Sequence, residues 1–268
     1  MSQRRISSQR RRSGPRQSLN LRDEQPNRRI RSEMLTAKHK LEPKLVKSRV
    51  IKCFENMQNE LDQDECMQIV RNNKNLIHRL DDDSFIHLLK IMNMNQRKEM
   101  CSLMEETCDK IFKTAIFYED YDKLDVLINS NLIDINNLKY FRYEPPLTLA
   151  VKEGKSLKLI KFLLTDGGAD PNIEDRKGNT ALFYVRNPEL AKELINYGAN
   201  IDHQNYKGNT PLIYVITEGP TTVAKILIQE GANVGLENNK GETAYDEAIK
   251  YKYRRSIVLM IEDMRKHA

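Results

Sequence analysis

Apolar residues recur at helical spacing through the part of the chain that follows residue 45. The first apolar face comprises Val46, Val50, Phe54, Met57 and Leu61. Intervals of three and four residues place such side chains on one side of a helix. A second run follows an acidic cluster that suits the positive end of a helix dipole and its cap, namely Asp81, Asp82, Asp83 and Ser84. The pattern predicts two or three short helical hairpins over residues 43–104.

A longer period runs through the second half of the chain. Lys-Gly-Asn-Thr occurs at 177–180 and 207–210, and Lys-Gly-Glu-Thr follows at 240–243. A Gly-Ala pair moves in phase at 168–169, 198–199 and 231–232, so that both markers step by 30 and then 33 residues. A glycine before Asn-Thr suits a turn with positive φ, the threonine can cap a helix, and the Gly-Ala pair can end a second helix. The predicted unit is a turn followed by two antiparallel helices.

This unit resembles the ankyrin repeat, a β-turn followed by two helices over about 33 residues. The resemblance covers about five units in residues 105–268 and is best over residues 175–237. It implies an all-α fold, an ankyrin-repeat solenoid of helix-turn-helix units with β-turn tips. The expected organisation is a basic tail at 1–42, a helical segment at 43–104 that is a cap or a set of degenerate repeats, and the ankyrin-repeat domain at 105–268.

Two departures from the family pattern carry structural expectations. The family usually has a histidine after Thr-Pro-Leu that bonds to the neighbouring turn, whereas this chain has Thr148, Phe183, Ile213 and Asp246 at those positions. We therefore expect apolar packing, rather than polar links, to hold adjacent units together. The unit at 175–204 is also three residues shorter near Asn187 and Pro188, which predicts a shortened inner helix.

The resemblance implies a non-enzymatic protein-binding module, an adaptor or an inhibitor, that contacts another protein through turn tips and the concave helix face. The expected tip contacts are Phe141, Arg142, Glu144, Arg176, Lys177, Asn179, Tyr206, Lys207, Asn209, Asn239, Lys240 and Glu242. The expected inner-helix contacts are Lys152, Glu218 and Tyr251. Phe141 and Tyr206 are favoured as anchors, because aromatic side chains carry much of the binding energy of interfaces.

A basic residue occupies the same tip position in four successive units. The four residues are Arg142, Lys177, Lys207 and Lys240. They form either a basic ladder for an acidic partner segment or a set of ordinary solvated side chains beside the turn glycines. The sequence leaves both interpretations open.

Charge is distributed unevenly along the chain. The 268 residues have a net charge of +6, but residues 1–50 hold 15 basic and 4 acidic side chains, a net of +11. The remaining 218 residues hold 29 and 34, a net of −5. Residues 1–40 have few apolar side chains to bury and are expected to be disordered in isolation. Their basic clusters are Arg4, Arg5, Arg10, Arg11, Arg12, Arg28, Arg29 and Arg31.

Several functions suit this tail. Three alternatives stay open. The tail acts as a nuclear-import signal read by an import receptor, it makes a salt-dependent contact with DNA or RNA phosphates, or it is only a solvated tail. Ser7 and Ser13 follow arginines, as in the sites of basophilic kinases, and phosphate there would reduce the local positive charge. Its richness in Arg and Ser also leaves a mitochondrial transit peptide open.

The sequence contains no motif typical of membrane-spanning or secreted proteins, of common enzyme classes or of metal sites. No apolar run approaches the roughly 18 residues of a membrane span, and the N-terminus lacks the apolar stretch of a secretory signal. Phosphate-binding Gly-Lys-Ser/Thr, Gly-x-Ser-x-Gly and His-Glu-x-x-His motifs are absent, and His78 and His87 lack metal-ligand spacing. We expect no enzyme activity, no cofactor and no metal, and a monomer in the nucleus, the cytoplasm or both. A substrate-recruiting subunit of a ubiquitin ligase remains an alternative.

The four cysteines give a further expectation about the compartment. They form no Cys-x-x-Cys pair and have no histidine partner at ligand spacing. Such cysteines are expected to be reduced and mostly buried thiols of the core.

Overall fold

Helices make up all the regular secondary structure in the residues that the computed structural model describes, which are 43–55, 60–128, 133–137, 144–251 and 254–267. Within these ranges there is no strand, and the predicted all-α fold is confirmed. The predictions for the tail, with its arginine clusters and two serines, lie outside the described residues. The same holds for Phe141 and Arg142.

The segment before the repeats contains helices α1 (Pro43–Glu55), α2 (Glu60–Asn72), α3 (Lys74–Ile77), α4 (Asp82–Ile91) and α5 (Met94–Leu103). Side chains cap two helix starts, and the first of these caps belongs to the acidic cluster predicted to supply one. Asp81 accepts a hydrogen bond from the backbone N–H of Ser84 at 2.9 Å, and Asn93 forms a capping box with Gln96. Large apolar side chains such as Phe85 fill the space between these helices.

Helices α6 (Glu105–Tyr118) and α7 (Tyr121–Ile128) form the hairpin that joins this segment to the repeats. Helix α4 contacts α7, and α5 contacts α6. The α6–α7 connection turns through Glu119, whose φ of 55° places it in the left-handed region. The segment at 43–104 therefore packs directly on the next helical pair.

All four cysteines lie in this part of the molecule, two of them bonded and two free. Cys53 of α1 and Cys66 of α2 form a disulfide with Cα atoms 6.2 Å apart, so the expectation of a reduced thiol is wrong for this pair. Cys101 and Cys108 are unbonded and buried as expected, with their sulfur atoms 3.2 Å apart. The hydrogen bond to Cys101 and burial raise the pKa of the Cys108 thiol, which keeps it protonated.

The repeat region is built from α8 (Pro146–Lys152), α9 (Leu157–Thr165), the short 3₁₀ helix η1 (Ala181–Tyr184), α10 (Pro188–Asn196), α11 (Pro211–Glu218), α12 (Thr221–Gln229), α13 (Ala244–Lys250) and α14 (Arg255–His267). The inner helices follow one another, since α8 contacts η1, η1 contacts α11, and α11 contacts α13. In the outer row α10 contacts α12, and α12 contacts α14. This two-row stack is the predicted solenoid.

The short unit departs from its neighbours as predicted. Its inner helix is reduced to the single 3₁₀ turn η1, and Asn187 caps the next helix by accepting a hydrogen bond from the N–H of Glu189 at 2.9 Å. Pro188 follows at the first helical position, where its missing N–H costs nothing. The missing residues thus shorten the inner helix without disturbing the outer one.

Adjacent units are linked by many polar contacts, so the expectation that packing alone joins them is wrong. The Asn172 side chain donates to Gly198 O at 2.9 Å and accepts from Asn200 N at 2.7 Å. Asn136 makes the same two contacts to the next unit, at 2.9 Å each, with Gly168 O and Asp170 N. Asn136 and Asn172 therefore take the linking role expected of the missing histidines, and Asp202 accepts from Asn233 N at 2.8 Å at the corresponding place in the next unit.

Candidate protein-binding surface

Three turn tips of nearly identical geometry lie side by side along the repeats, at 175–179, 205–209 and 238–242. Each begins with Asp or Asn, whose side-chain oxygen accepts hydrogen bonds from the backbone N–H groups two and four residues later. The distances are 2.8 and 3.0 Å at Asp175, 2.9 and 3.1 Å at Asn205, and 2.9 and 3.1 Å at Asn238. The same local chemistry therefore holds the third residue of each tip in the same place.

The tips are also bonded to one another. The backbone N–H of Tyr206 donates to Lys177 O at 3.2 Å, and that of Asn239 donates to Lys207 O at 3.0 Å. Gly208 lies at this junction with a φ of +71°, and a Cβ there would lie 2.7 Å from the backbone nitrogen of Asn239. Glycine is thus required both by the turn and by the closeness of the next tip.

The tip lysines are exposed. Among the described residues no hydrogen bond or ion pair engages the ammonium groups of Lys177, Lys207 and Lys240. The inner-helix lysines differ, because Lys152 pairs with Glu144 at 2.9 Å and Lys250 pairs with Glu242 at 2.7 Å. The ammonium groups of these inner-helix lysines are therefore neutralised by carboxylates of the same chain, whereas those of the tip lysines face solvent.

Tyr206 is the most exposed aromatic side chain at the tips, at 68%. It lies between two open cavities of about 520 and 590 Å³, which share Lys207, Asn209, Thr217 and Glu218 as lining residues. A hydrogen bond with Glu174 raises the pKa of Tyr206. We call the three tips, together with Thr217, Glu218, Lys250 and Tyr251, the tip surface.

A polar cluster supports the first tip from beneath. The Tyr184 hydroxyl donates to Asp175 at 2.5 Å, and the ammonium of Lys152 lies 3.5 Å from the same carboxylate. Burial would raise the pKa of Asp175, but hydrogen bonds from Tyr184 and from two backbone N–H groups, with the charge of Lys152, outweigh burial and lower it. Burial and the bond to Asp175 raise the pKa of Tyr184 to about 12. The carboxylate is thus ionised and held in the turn at neutral pH.

The structure assigns different roles to some of the residues expected at the surface. Asn179 is only 1% exposed, and it bridges Tyr184 and Asn205 by hydrogen bonds of 2.6 and 2.7 Å, so it links two tips rather than facing a partner. Glu144 and Glu242 are half-buried and paired with lysines. Exposed positions remain at Arg176, Lys177, Tyr206, Lys207, Glu218, Asn239 and Lys240.

A second exposed patch escaped the sequence reasoning. Phe117 and Tyr118, at the end of α6, are 54% and 73% exposed, and Phe117 lines an open cavity of about 560 Å³ with Leu149 and Glu153. The ammonium of Lys155 lies 4.2 Å from the centre of the Phe117 ring. The sequence carried a signal for this patch. Phe117 and Tyr118 directly follow the buried positions Ala115 and Ile116 at the end of α6, so they add two aromatic residues beyond its apolar face.

The described residues lack two kinds of feature. No helix in the described ranges is both long and apolar enough to cross a membrane. No group of three or more His, Cys, Asp or Glu side chains in the same ranges is placed to hold a metal ion.

The comparisons with known proteins agree with this architecture. Residues 184–267 match the family model described as ankyrin repeats in three copies, and residues 144–176 match that of a single ankyrin repeat. Residues 144–176 and 184–267 are therefore ankyrin repeats, which indicate a protein-protein interaction module. Proteins of this family are in general non-enzymatic interaction scaffolds.

Two relatives carry the same family name. The chain is 37% identical over 105 residues to an ankyrin repeat protein of Rickettsia felis, covering 35% of this chain and 43% of the relative. It is 34% identical over 110 residues to an ankyrin repeat protein of Fowlpox virus, covering 40% of this chain and 18% of the relative. The chain thus matches less than half the length of either relative.

Proposed function

We propose that the chain is a non-enzymatic adaptor or inhibitor that binds a partner protein at the tip surface. The observation that carries this proposal is Tyr206, an exposed aromatic residue between two open cavities on a rigid row of turns. Exposed aromatic residues beside polar cavity walls are typical binding hot spots. The hydrogen bonds between tips hold this residue in place before a partner arrives, which reduces the entropy lost on binding.

The test is affinity capture of partner proteins by the full chain, quantified by mass spectrometry, with two double variants. Tyr206→Ala/Lys207→Glu alters the tip surface. Tyr197→Ala/Lys192→Glu alters an exposed lysine on the outer helix α10 and the exposed tyrosine that directly follows this helix, and serves as the matched control. We expect the first variant to lose specific partners at least about tenfold and the second to retain them.

Both variants change exposed side chains, and thermal unfolding should show that both remain folded. Equal loss of partners in the two variants would contradict a specific role for the tip surface. A partner list that neither variant changes would overturn the proposal. Dependence on Phe117→Ala alone would place the binding site on the second patch instead.

We infer a separate targeting role for residues 1–42. The concentration of positive charge in this part of the chain supports nuclear import through its arginine clusters. A fluorescent fusion of the full chain should concentrate in the nucleus, and deletion of residues 1–42 should distribute it evenly while partner capture persists. Aspartate at Ser7 and Ser13 should weaken import, since added negative charge opposes the arginines.

The same positive charge supports contact with DNA or RNA as a second candidate. Such binding would weaken steeply with salt, because each neutralised phosphate releases counterions. Nucleic acid that co-purifies at low salt with the full chain, and is lost on deletion of residues 1–42, would favour this candidate over import. Unchanged location and unchanged nucleic-acid content after the deletion would contradict both.

A further inference from the structure

We propose that Lys177, Lys207 and Lys240 bind an extended acidic segment of the partner protein in which a carboxylate recurs at every third residue. This inference rests on the proposed function and specifies the chemistry of the partner. Of the two interpretations given above for the basic tip residues, the inference favours a ladder that binds an acidic segment over a set of ordinary solvated side chains.

The first argument is the availability of charge. The three tip ammonium groups are exposed and engage no carboxylate among the described residues, although acidic side chains are common along the repeats. Lys152 and Lys250, on the neighbouring inner helices, are each paired within 3.0 Å. Of the acidic residues that line the two cavities, Glu247 is paired with Lys250, and Glu218 lies on α11 rather than on the tips. The tips also carry carboxylates, but Asp175 is bonded within its own turn and Glu242 is paired with Lys250, so neither engages the three tip ammonium groups.

The second argument is positional regularity. Each lysine is the third residue of a turn whose first residue accepts from its N–H, at 2.8 to 2.9 Å in all three tips. The turns are closed by matching backbone bonds, such as Asn205 N–H to Asn209 O at 3.0 Å. Backbone bonds between tips then fix each turn against the next. The lysines are spaced by the main chain and not by flexible side-chain contacts.

The third argument is the match of this spacing to one backbone conformation. Each tip contributes two paired backbone segments, and paired segments lie about 4.8 Å apart, so successive lysine Cα atoms are about 10 Å apart. A polyproline II segment rises about 3.1 Å per residue with three residues per turn, so every third side chain returns to the same face after about 9 Å. A β-strand repeats its face after only about 6.6 Å. The geometry therefore favours acids at positions i, i+3 and i+6 of a polyproline II segment.

The aromatic residues that line the cavity, the exposed Tyr206 and the half-buried Tyr214, fit the same ligand. Tyr206 and Tyr214 line the cavity that contains Lys177 and Lys207. Aromatic-lined grooves commonly receive the proline rings of polyproline II segments. Between the acids, proline or small residues would pack against these rings, whereas successive bases of a nucleic acid would need a row of aromatic platforms.

The experiment uses the full chain and two fluorescein-labelled, end-blocked peptides of identical composition. In the spaced peptide Glu-Pro-Ser is repeated three times, and in the clustered peptide the three glutamates are consecutive. Fluorescence anisotropy should show the spaced peptide binding at least about fivefold more tightly, because only its acids reach all three lysines. Raising the NaCl concentration should weaken this binding.

Two triple variants of equal net charge complete the design. Lys177→Gln/Lys207→Gln/Lys240→Gln should weaken binding of the spaced peptide by about tenfold or more, since three ion pairs are lost. The control replaces three lysines of the outer helices α9, α10 and α12, as Lys158→Gln/Lys192→Gln/Lys225→Gln, and should change binding by less than about twofold. Unfolding curves of both variants should match that of the unmodified chain.

Several outcomes would overturn the inference. Equal binding of the two peptides, equal effects of the two triple variants, or no binding of either peptide would each do so. Tighter binding of a single-stranded oligonucleotide of equal charge, lost in the tip triple variant, would show that the partner class is wrong. If the captured partner is lost with Tyr206→Ala/Lys207→Glu but retained by the tip triple variant, the proposed function stands and this inference fails. If neither change affects the partner, both fail.

Discussion

The helical segment at 43–128 and the repeats at 144–251 bury different kinds of residue. The segment fills its core with large side chains, among them Phe85, Met100, Met104 and Phe112. In the repeats Phe183 is the one fully buried phenylalanine, and the interior is filled by leucine, isoleucine and valine together with small residues of the inner helices, among them Ala150, Ala181, Ala244 and Ala248. The small residues allow the inner helices to approach closely, and hydrogen bonds at the turns add a second link between units.

This difference shows how one chain can stabilise helices in two ways. Large apolar side chains stabilise by the area that they remove from water, at about 25 cal/mol per Å², and tolerate varied helix lengths. The repeats also bury leucine, isoleucine and valine, and they add to this packing a local hydrogen-bond pattern that recurs with the sequence period. A regular row of tips, which the binding proposals require, is available only from the second strategy.

The largest expected effect tests the dependence of the segment on large side chains. Replacement Phe85→Ala should lower the free energy of unfolding by about 4 kcal/mol, because this side chain is fully buried and its loss leaves a cavity. Urea unfolding followed by circular dichroism measures the change. The matched control Phe117→Ala removes an exposed ring and should cost less than about 0.5 kcal/mol. Similar losses from the two variants would contradict packing as the main stabilising term in this segment.

The next effect tests the dependence of the repeats on their turns. Replacement Gly208→Ala should cost about 3 kcal/mol, since it combines a positive φ with a Cβ placed against the backbone of Asn239. Gly231→Ala is the control, because Gly231 also has a positive φ, of +92°, but no atom lies within 4 Å of the added Cβ. Its cost should be about 1 kcal/mol. A cost at Gly208 no greater than at Gly231 would show that contact between tips contributes little.

A third prediction concerns the attachment of helix α14 to the preceding repeats. Arg254 is 3% exposed and donates to Gly219 O at 2.6 Å and to Thr221 Oγ1 at 2.7 Å. Replacement Arg254→Met should therefore cost about 2 kcal/mol and accelerate hydrogen exchange in α14. Arg255→Met, at an exposed neighbouring position, should change stability by less than about 0.5 kcal/mol. Unaltered exchange in α14 after the first change would mean that Arg254 does not anchor this helix.

The smallest expected effect depends on pH. The pKa of Asp175 is lowered in the folded state, so its contribution to stability is present above the unfolded-state value near 4 and is lost as the pH falls through the folded-state value. Replacement Asp175→Asn keeps the turn, as Asn205 does, but loses the charge, and should cost about 1 kcal/mol at pH 7.

Urea unfolding at pH 7, 5 and 3.5 checks this prediction. The difference between the unmodified chain and Asp175→Asn should shrink only at the lowest pH. Asp166→Asn, at an exposed carboxylate, is the control and should give the same stability as the unmodified chain at each pH. A difference for Asp175→Asn that does not vary with pH would assign the stabilisation to shape rather than charge.

Much of the repeat architecture was predictable because its signals are local. The positive φ of Gly208, the cap at Thr210 and the shortened helix before Pro188 each follow from residues within one unit. The same reasoning located the exposed Tyr206. It failed at Asn179, because the burial of that side chain depends on Asn205 in the next unit.

The polar links between units were missed for a related reason. The prediction considered only the position after Thr-Pro-Leu, where the family usually has a histidine, as a site of polar links between units. Asn136 and Asn172 take over this role from the opposite end of the unit, across 26 to 34 residues of chain. The disulfide between Cys53 and Cys66 was missed because nothing in their spacing indicates that α1 and α2 pack side by side.

The sequence by itself determined the helical units, their period, their turn chemistry and the separation of a basic tail from a weakly acidic body. These properties depend on residues close together in the chain, where backbone preferences and side-chain caps act. The tertiary structure alone decided which tip residues face solvent, which lysines remain unpaired and which aromatics are exposed. Those properties depend on which atoms of neighbouring units come within bonding distance, and the stacking of the units sets that distance.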